Sequence, residues 1–563
     1  MNDTRSESRL TKIGRAAPGV AALRGYKAGW LRHDVVAGVV LAAILVPQGM
    51  AYAELAGLPP VTGLYTTIAC LVAYAIMGPS RVLVLGPDSS VSPMIFAAIA
   101  PLVLTNDPST AIALAGMLAV LVGVIEIVLG KADLGFIADL LSKEVQVGYM
   151  NGLAITIVVG QLPKLCGFST DADGFVNEIH SFIQGFDQRD STALVMGVAT
   201  LATLLILPRL TRRIPAVLVA VVGATVVTAV LDLDIDTVGA LPSGLPRPSV
   251  PWTAWGDIGP LLIAALGITI VSLTDTIATS TSFAARRGDE VDPNQEMIGI
   301  GAANVACGFF QGFAVSTSGS RTAVAAQSGA KSQLTGIIGA LGVALILVFA
   351  PGLLADLPQP ALAAVVISAA LSLADLQALK RFWSVRRSSL VLSLTATAGV
   401  VFFGVLQGIA IAVAMSVLLF FHNSWWPHGE VLGQVQGRPG WHHDPESDDP
   451  EPSDLLVFRW EAPLFFANSG MFRQQVRRHV RRVKPKWVLL QCEAITDIDV
   501  TAADMLRQLG IELNDADIEL GFVELRSRLR ALVSAYGLLD TLDRRHFYST
   551  MTEAIAEVDA AAD

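Results

Sequence analysis

The sequence predicts a polytopic α-helical membrane protein that carries a soluble α/β domain at its C-terminal end. The chain of 563 residues is 53% hydrophobic and only 16% charged, whereas soluble proteins carry more charge. Apolar stretches long enough to cross a bilayer recur from Val35 to Phe421. After residue 453, short strand-like segments alternate with helical segments that have charged faces.

The distribution of basic residues orients the chain in the membrane. The N-terminal segment holds Arg5, Arg9, Lys12, Arg15, Arg24, Lys27 and Arg32, and the positive-inside rule places it in the cytoplasm. Later basic clusters fit cytoplasmic turns, and the pattern closes with about 14 spans and both termini cytoplasmic. We therefore expect a multi-pass protein of the cell membrane, plasma or inner. Its predicted parts are a cytoplasmic segment 1–33, a transmembrane domain 34–423, a linker 424–453 and a cytoplasmic domain 454–563.

Several classes of function find no support in the composition. The net charge of −10 gives no indication of a nucleic-acid partner. The cysteines are far apart, which argues against a disulfide framework: Cys70, Cys166, Cys307 and Cys492. We find no metal-ligand cluster, nucleotide-binding loop or nucleophile elbow, and the linker histidines (His422, His428, His442, His443) are interpreted as solvated. The prediction is therefore neither an enzyme nor a cofactor or metal protein.

The segment Gly312–Ala325 (GFAVSTSGSRTAVA) is unusually polar for an apolar region. Gly312 to Thr317 suggest extended chain, followed by a helix whose first turn Ser and Thr side chains would cap. A helix that begins inside the membrane offers unpaired N–H donors and a positive end to an anion. Arg321 adds a full charge, and an arginine at membrane depth costs about 2.5–3.5 kcal/mol, so it should face a cavity and have a partner. We predict half of an anion site here.

A second segment mirrors the first. Val82 to Gly86 suggest a short strand, Pro87 takes the usual first position of a helix, and Asp88, Ser89 and Ser90 follow in its first turn. Interrupted segments at corresponding places in two halves indicate inverted repeats, with the substrate between them at mid-membrane.

Two further spans carry unusual residues. In the first span, Pro47 and Gly49 would interrupt the helix near Tyr52, although a tilted helix with a structural proline is the alternative. In the span before the central segment, Asp275 is an intramembrane carboxylate with Ser272, Thr276 and Thr279 within one turn. Because burial disfavours the charged form, Asp275 is a candidate proton carrier. The alternative is a structural partner for Arg321 or a backbone cap.

Four motifs together resemble the sulfate permease (SulP) family, solute carrier family 26. They are QGMAYAELAGLPPVTGLY (Gln48–Tyr65), the Gly86-Pro87 pair, DPNQE (Asp292–Glu296) and SGSRT (Ser318–Thr322). The C-terminal part resembles the STAS domain of that family, and the resemblance covers about residue 20 to 558. It implies two inverted seven-span repeats, with a core of spans 1–4 and 8–11 and a gate of spans 5–7 and 12–14.

The resemblance also implies a substrate pocket between the third and tenth spans. Its expected substrate-binding residues are Gln48, Tyr52, Asp88, Ser89, Ser318, Gly319, Ser320 and Arg321, and its proton-coupling candidates are Asp275, Asp88 and Glu54. Sodium-coupled members carry an acid where this chain has Thr279, which makes sodium coupling a weaker reading than a proton gradient. Asp88 departs from the apolar or hydroxyl residue of other members. We expect it to be protonated, to pair with Arg321, or to favour proton symport.

In the STAS-like part, Asp497–Ala502 matches the loop that carries a phosphorylated serine in anti-sigma-factor antagonists. Thr501 takes that place and is a candidate regulatory residue. The alternative, which we favour, is that Thr501 only caps the following helix.

These observations predict secondary-active transport of a small anion, proton-coupled and elevator-like. The favoured substrate is a sulfate-type oxyanion. Bicarbonate and a dicarboxylate are alternatives, because charge and fold do not determine which anion binds. Two other hypotheses are an anion channel or sensor that signals through STAS, and, ranked lower, a nucleobase–cation symporter. The family suggests a homodimer in the lipid bilayer and a soluble partner at the STAS domain.

Overall fold

The computed structural model describes residues 17–103, 107–135, 142–170, 174–211, 215–434, 440–442, 454–541 and 546–562. Arg5, Arg9, Lys12 and Arg15 of the N-terminal segment, and His443, lie outside these ranges. The chain divides into two compact units, Met1–Ser416 and Val417–Asp563, which are described separately.

In its described residues, the first unit is mainly helical and contains two very short strands. Its elements are α1 (Pro18–Arg24), α2 (Leu31–Leu55), α3 (Pro60–Met77), β1 (Leu85–Gly86), α4 (Ser92–Ile99), α5 (Pro108–Lys131), α6 (Lys143–Leu165), α7 (Phe175–Gly185), α8 (Ser191–Leu210), α9 (Ala216–Leu231), α10 (Trp255–Ala285), α11 (Pro293–Phe309), β2 (Ser316–Thr317), α12 (Gly319–Gln327), α13 (Leu334–Phe349), α14 (Gln359–Leu373), α15 (Leu376–Val385) and α16 (Arg387–Phe403). Helix α17 (Val405–Trp425) crosses the boundary between the units.

Seven helical stretches among the described residues are long and apolar enough to cross a membrane, and five shorter apolar helices accompany them. The stretch Gln359–Val385 counts as one of the seven, although its helix is interrupted at Ala374 and Asp375. The predicted helical membrane domain is therefore confirmed. The predicted count of about 14 spans stays a prediction, because short and broken helices are not resolved by length and composition.

The membrane helices form two groups. One contains α2, α3, α5, α10, α11 and α13 with the short elements β1, α4, β2 and α12; the other contains α6, α8, α9, α14 and α16. Helices α9 and α14 of the second group contact α2 of the first. This is the division into core and gate that the resemblance implies, and we use those two names below for the two groups.

Within the core, α5 and α11 approach so closely that only glycine fits at their crossing. A Cβ on Gly123 would lie 2.4 Å from the carbonyl oxygen of Gly301, and one on Gly301 would lie 2.7 Å from that of Gly123. Small residues allow this approach in membranes, where packing rather than the hydrophobic effect holds helices together.

Two of the buried carboxylates that the sequence analysis did not single out are Asp34 and Glu296, and both connect core helices. Asp34 of α2 is fully buried and accepts hydrogen bonds from the backbone N–H groups of Lys331 and Ser332 and from the Thr335 hydroxyl, so it holds the start of α13. Glu296 of α11 accepts from the Tyr74 hydroxyl at 2.6 Å and from the Ser80 hydroxyl.

The second unit is an α/β domain with its own core. The strands are β3 (Gly429–Gln434), β4 (Trp441–His442), β5 (Leu455–Trp460), β6 (Trp487–Gln491), β7 (Glu519–Val523) and β8 (Phe547–Tyr548), in the sheet order β4-β3-β5-β6-β7-β8. Strands β5 to β8 are parallel, whereas β3 is antiparallel to β4 and β5. The helices are α18 (Ser469–Val483), α19 (Val500–Asn514), α20 (Ser527–Ala535), α21 (Leu538–Thr541) and α22 (Met551–Ala562).

The predicted alternation of strands and helices is confirmed, but the linker prediction needs correction. Residues 429–434, inside the predicted linker 424–453, form β3, whose residues 429–432 pair with β5, and Leu432 is buried. The linker prediction rested on the many Pro, Gly and Asp residues of this segment, and the apolar pair Val431-Leu432 is too short to change that composition. Burial raises the pKa of the Cys492 thiol in this domain to about 12, which makes it an unreactive core residue.

The capping prediction for Thr501 is wrong. The N-cap of α19 is Asp499, whose carboxylate accepts from the backbone N–H of Ala502 at 2.8 Å and, through its other oxygen, from that of Phe466 at 2.8 Å. Thr501 lies exposed in the first turn of the helix. Asp and Thr are both good N-cap residues, so only the backbone could show which of them stands at the cap.

We expect Asp499→Ala to lower the unfolding free energy of the C-terminal unit by about 0.5–2 kcal/mol, the usual effect of removing an N-cap. Thr501→Ala is the matched control and should change that free energy by less than about 0.5 kcal/mol, as exposed substitutions do. Urea unfolding of residues 428–563, followed by circular dichroism, measures both. Equal losses from the two variants would contradict the assignment of the cap.

Candidate functional site

The core strands β1 and β2 cross in antiparallel fashion, with Leu85 opposite Thr317 and Gly86 opposite Ser316. The Ser318 N–H also donates to the carbonyl of Val84, and the Val84 N–H to the Thr322 hydroxyl. Each strand leads into a short helix, α4 or α12. The predicted pair of interrupted segments is therefore brought together at one place in the core.

The start of α4 differs from the prediction, whereas α12 begins after Thr317 as predicted but without the predicted side-chain cap. Helix α4 begins at Ser92, so Pro87 is not its first residue, and Asp88 to Ser90 lie in the turn before it. Helix α12 begins at Gly319, but the side chain of its N-cap, Ser318, does not cap it and lies 3.0 Å from the Ser320 hydroxyl instead. The first-turn N–H groups of α12 are consequently left for water or a ligand.

Arg321 is the central side chain of this crossing. It is 1% exposed and reaches from α12 to the chain that follows β1. Its Nη1 donates to the carbonyl of Pro87 at 2.6 Å, and its Nη2 lies 3.2 Å from Asp88 Oδ1. Of the three states expected for Asp88, the geometry supports pairing with Arg321. The Arg321 Nε has no hydrogen-bond partner among the described residues.

Asp275 of α10 lies close to this pair but does not contact Arg321. Its carboxylate accepts from the Ser90 hydroxyl at 3.0 Å, and the Gln146 amide lies within reach of it. The same hydroxyl lies 2.8 Å from Asp88 Oδ2, and its single proton serves one of the two carboxylates at a time. The alternative in which Asp275 is the partner of Arg321 is therefore wrong. Gln146 belongs to the gate helix α6, so Asp275 faces both groups of helices.

A cavity of about 1320 Å³ opens beside these residues. It is lined by all eight residues predicted to bind substrate (Gln48, Tyr52, Asp88, Ser89, Ser318, Gly319, Ser320 and Arg321), and by Asp275 and Thr279. The Tyr52 ring is buried, and its hydroxyl lies within hydrogen-bonding reach of Ser89. Pro47 lies inside a helix that continues through Gly49, so the predicted interruption of the first span is not observed and its alternative, a continuous helix with a structural proline, is the conformation present.

Glu54 is the one predicted coupling residue that lies outside this cavity. Its carboxylate accepts from the Gln359 amide at 3.0 Å and lies 3.7 Å from the Lys164 ammonium group. These contacts join α2 to the gate helices α14 and α6. Glu54 is therefore not placed to contact a substrate in the cavity.

Sequence reasoning missed a fully buried carboxylate behind the site. Glu126 of α5 accepts from the Asn304 amide at 2.8 Å and from the Ser272 hydroxyl at 3.0 Å. Asn304 in turn accepts from the backbone N–H of Val315 at 2.7 Å, so this cluster holds the chain that enters β2. The signal was available, because Glu126 is an acid in an apolar helix just as Asp275 is.

The cavity extends toward one set of helix ends. Besides the site residues, its walls include Val36 near the start of α2, Thr211 after α8, Ser328 after α12 and Leu373 at the end of α14. As the chain alternates across the membrane, these positions fall on the side where α2 begins. At the opposite ends of α8 and α14, no described residue lines the cavity.

The comparisons with known proteins agree with this architecture. The model of the sulfate permease family matches residues 31–397, and that of the STAS domain matches residues 447–554. The chain is 42% identical to a probable sulfate transporter, Rv1739c, of Mycobacterium tuberculosis over 96% of this chain and 97% of the relative. It is 29% identical to the chloroplastic sulfate transporter 4.1 of Arabidopsis thaliana, over 93% and 80%.

Solved structures show the same fold. An SLC26A9 structure superposes with a TM-score of 0.88 at 22% identity, covering 100% of this chain and 95% of that one. Murine Slc26a9 in the inward-facing state gives 0.87 at 23% identity, covering 98% and 95%. The transmembrane domain of the cyanobacterial bicarbonate transporter BicA gives 0.61 at 23% identity, covering 70% and 98%.

The family match spans more than half of the chain, and the mycobacterial relative aligns along nearly all of it. A nucleobase–cation symporter finds no support in these matches. The chain belongs to the sulfate permease family of membrane transporters and carries a C-terminal STAS domain.

Proposed function

We propose that the protein is a secondary-active transporter of a small oxyanion of the sulfate type, coupled to protons. The observation that carries this proposal is Arg321, a buried guanidinium beside an uncapped helix start at the wall of a large cavity. The N–H donors of α12 and the hydroxyls of Ser318 and Ser320 add uncharged donors that suit a tetrahedral or planar oxyanion. The names of the curated relatives favour sulfate among such anions.

The charges that line the cavity support the proposed proton coupling. Among the described residues that line the cavity, Arg321 is the basic one; Asp88 balances its charge, and Asp275 adds a second carboxylate. An anion that enters meets no net positive charge as long as both carboxylates are ionised. A proton on Asp88 would free the guanidinium, and a proton on Asp275 would remove the remaining repulsion, so anion and proton bind together.

The link between Asp275 and the gate supports an elevator-like movement. The strands β1 and β2, Arg321 and Asp275 all belong to the core, whereas the gate supplies Gln146 opposite them. Protonation of Asp275 changes the hydrogen bonds available to Gln146 and therefore the attachment of core to gate. In this proposal the core carries the anion past the gate, and the core moves only after the anion and the proton have bound.

The cavity corresponds to an inward-open state under the predicted orientation. The N-terminal residues that precede α2 are basic, and the positive-inside rule places that side in the cytoplasm. The cavity opens on the same side. A homodimer, a soluble partner at the STAS domain and regulation at Thr501 stay predictions.

The position of Arg321 depends on a glycine. A Cβ on Gly86 would lie 2.7 Å from Arg321 Nη1, closer than real Cβ atoms come. By contrast, a Cβ on Gly267 of the core helix α10 would meet its first heavy atom at 3.8 Å, which is ordinary contact.

The first prediction concerns the substrate and Arg321. In proteoliposomes, we expect uptake of radiolabelled sulfate that rises with an inward proton gradient, above uptake of bicarbonate or succinate. Arg321→Ala should abolish this uptake, and Arg209→Ala, which removes an exposed arginine at the end of α8, should not. Because Arg321→Ala leaves Asp88 unpaired, the double variant Arg321→Ala/Asp88→Ala controls for folding.

If uptake needs no gradient and survives in a folded Arg321 variant, the proposed site is refuted and an anion channel is favoured. If bicarbonate or succinate accumulates instead of sulfate, the site stands and the substrate assignment falls.

The second prediction concerns the coupling ion. Asp275→Asn keeps a side chain that can bond to Ser90 and Gln146 but cannot take up a proton. We expect uptake driven by a pH gradient to fall at least tenfold, while exchange of internal for external sulfate persists. Thr279→Ala, one turn away in the same cavity, should leave the pH dependence in place. An Asp275→Asn protein that still concentrates sulfate under a proton gradient would exclude this residue as the carrier.

The third prediction compares alanine substitutions at Gly86 and Gly267. Gly86→Ala should reduce sulfate uptake at least tenfold, since the added Cβ pushes the guanidinium away from its present position against its carbonyl and carboxylate partners. Gly267→Ala should retain uptake and expression. Binding assays that show normal sulfate affinity in Gly86→Ala would contradict the role given to the Arg321 position.

A further inference from the structure

Helix α15 lies between the gate helices α14 and α16 and is separate from both. Ala374 and Asp375 leave the helical conformation, with ψ near 119° and 79°, and the Asp375 side chain then caps α15 by accepting from the Ala378 N–H at 2.8 Å. The cap shows that α15 is a helix of its own and does not simply extend α14.

The two sides of α15 differ sharply. At 100° per residue, one half of its circumference carries Leu376, Ala378, Leu379, Phe382, Trp383 and Val385, and the other half carries Gln377, Lys380, Arg381 and Ser384. Ala378 is buried, but Leu376 and Trp383 are each 65% exposed. The apolar half is thus only partly covered by protein.

Hydrogen bonds to α6 place α15 at the depth of a membrane interface. The Asp375 N–H donates to Asn151 Oδ1 at 3.0 Å, and Ser389, just beyond α15, donates to Glu144 Oε1 at 3.0 Å. Asn151 and Glu144 are seven residues apart on α6, which corresponds to about 10 Å along the helix axis. Helix α15 therefore occupies the layer between the charged start of α6 and its third turn.

Four cations lie on the polar half of α15 or just after the helix: Lys380, Arg381, Arg386 and Arg387. Each is exposed, and none forms an ion pair with a residue that the structure describes. The Arg387 guanidinium lies over the Trp383 ring, 5.8 Å from its centroid. An exposed tryptophan flanked by unpaired cations in this layer suits a lipid whose headgroup is anionic.

Helix α7 provides an internal comparison. Helix α7 follows α6, which is the fifth membrane segment of the first repeat. Helix α15 holds the same place in the second repeat, because it follows the fifth membrane segment there, α14. It also exposes apolar side chains, with Val176 at 63% and Ile183 at 66%. Its sequence, FVNEIHSFIQG, contains an acid and neither Lys nor Arg. The two helices therefore share an apolar face and differ in charge.

We propose that α15 is a lipid-binding helix of the gate. Its Leu376–Trp383 edge lies among acyl chains, and Lys380, Arg381, Arg386 and Arg387 bind the phosphate groups of anionic lipids. Since α15 joins α14 to α16, bound lipid holds this part of the gate at the membrane surface. Helix α7 contacts lipid on the opposite side of the membrane without a preference for charge.

The depth of α15 is tested by quenching in nanodiscs. The four native cysteines are buried, so a fluorophore can be attached at a single introduced thiol. Trp383→Cys and Ser384→Cys place it on neighbouring residues of opposite halves. Lipids with a nitroxide near the headgroup should quench the label at position 383 at least threefold more than that at 384. Equal, weak quenching at both positions would show that α15 lies outside the membrane and would overturn the proposal.

The charge preference is tested with the label at position 376, introduced by Leu376→Cys. Nitroxide-labelled phosphatidylglycerol should quench it more than nitroxide-labelled phosphatidylcholine. The double variant Lys380→Gln/Arg381→Gln should lower the ratio of quenching by phosphatidylglycerol to quenching by phosphatidylcholine by about fivefold per charge removed. High salt should lower it as well. A label on α7, introduced by Ile183→Cys, should show equal quenching by both lipids. A ratio near one in the parent, or one unchanged by the double substitution, would refute the anionic-lipid assignment.

Discussion

The contact between Arg321 and the chain after β1 is the interaction on which the transport domain depends. One guanidinium joins the carbonyl of Pro87 and the carboxylate of Asp88 on one interrupted segment to the helix start of the other. A buried charge is stable only when it is paired and hydrogen-bonded, so the two segments must cross at this place. The same requirement keeps the glycine at position 86, because a larger residue would displace the guanidinium.

Further polar groups support that crossing from behind. Glu126 and Asn304 hold the chain at Val315, and Asp34 and Glu296 tie α2 and α11 to neighbouring chain segments. In an apolar environment each of these groups needs a partner within the protein, which makes the core a set of mutually dependent hydrogen bonds. Such a unit can move as one body, as the proposed mechanism requires.

Much of the site could be predicted because its residues are costly in a membrane. Arg321, Asp275 and the hydroxyl-rich stretch around Ser318 stand out from apolar neighbours, and all of them line the cavity. By the same logic Glu126 was predictable and was passed over. The start of α4, the side-chain capping of α12 and the cap of α19 were predicted wrongly, because several adjacent residues are equally good caps and only the backbone conformation selects one.

By itself, the sequence determined the class of the protein: apolar length requires spanning helices, and the strand–helix alternation indicates the C-terminal domain, while clustered basic residues predict the orientation of the spans. Which side chains and which strands pair with one another was decided only by the tertiary structure. Arg321 binds Asp88 and not Asp275, Glu54 faces Lys164 away from the cavity, and residues 429–434 add a strand to the sheet. The physical reason is that composition and periodicity are local properties, whereas these partners lie tens to hundreds of residues apart and meet only when the helices and strands pack.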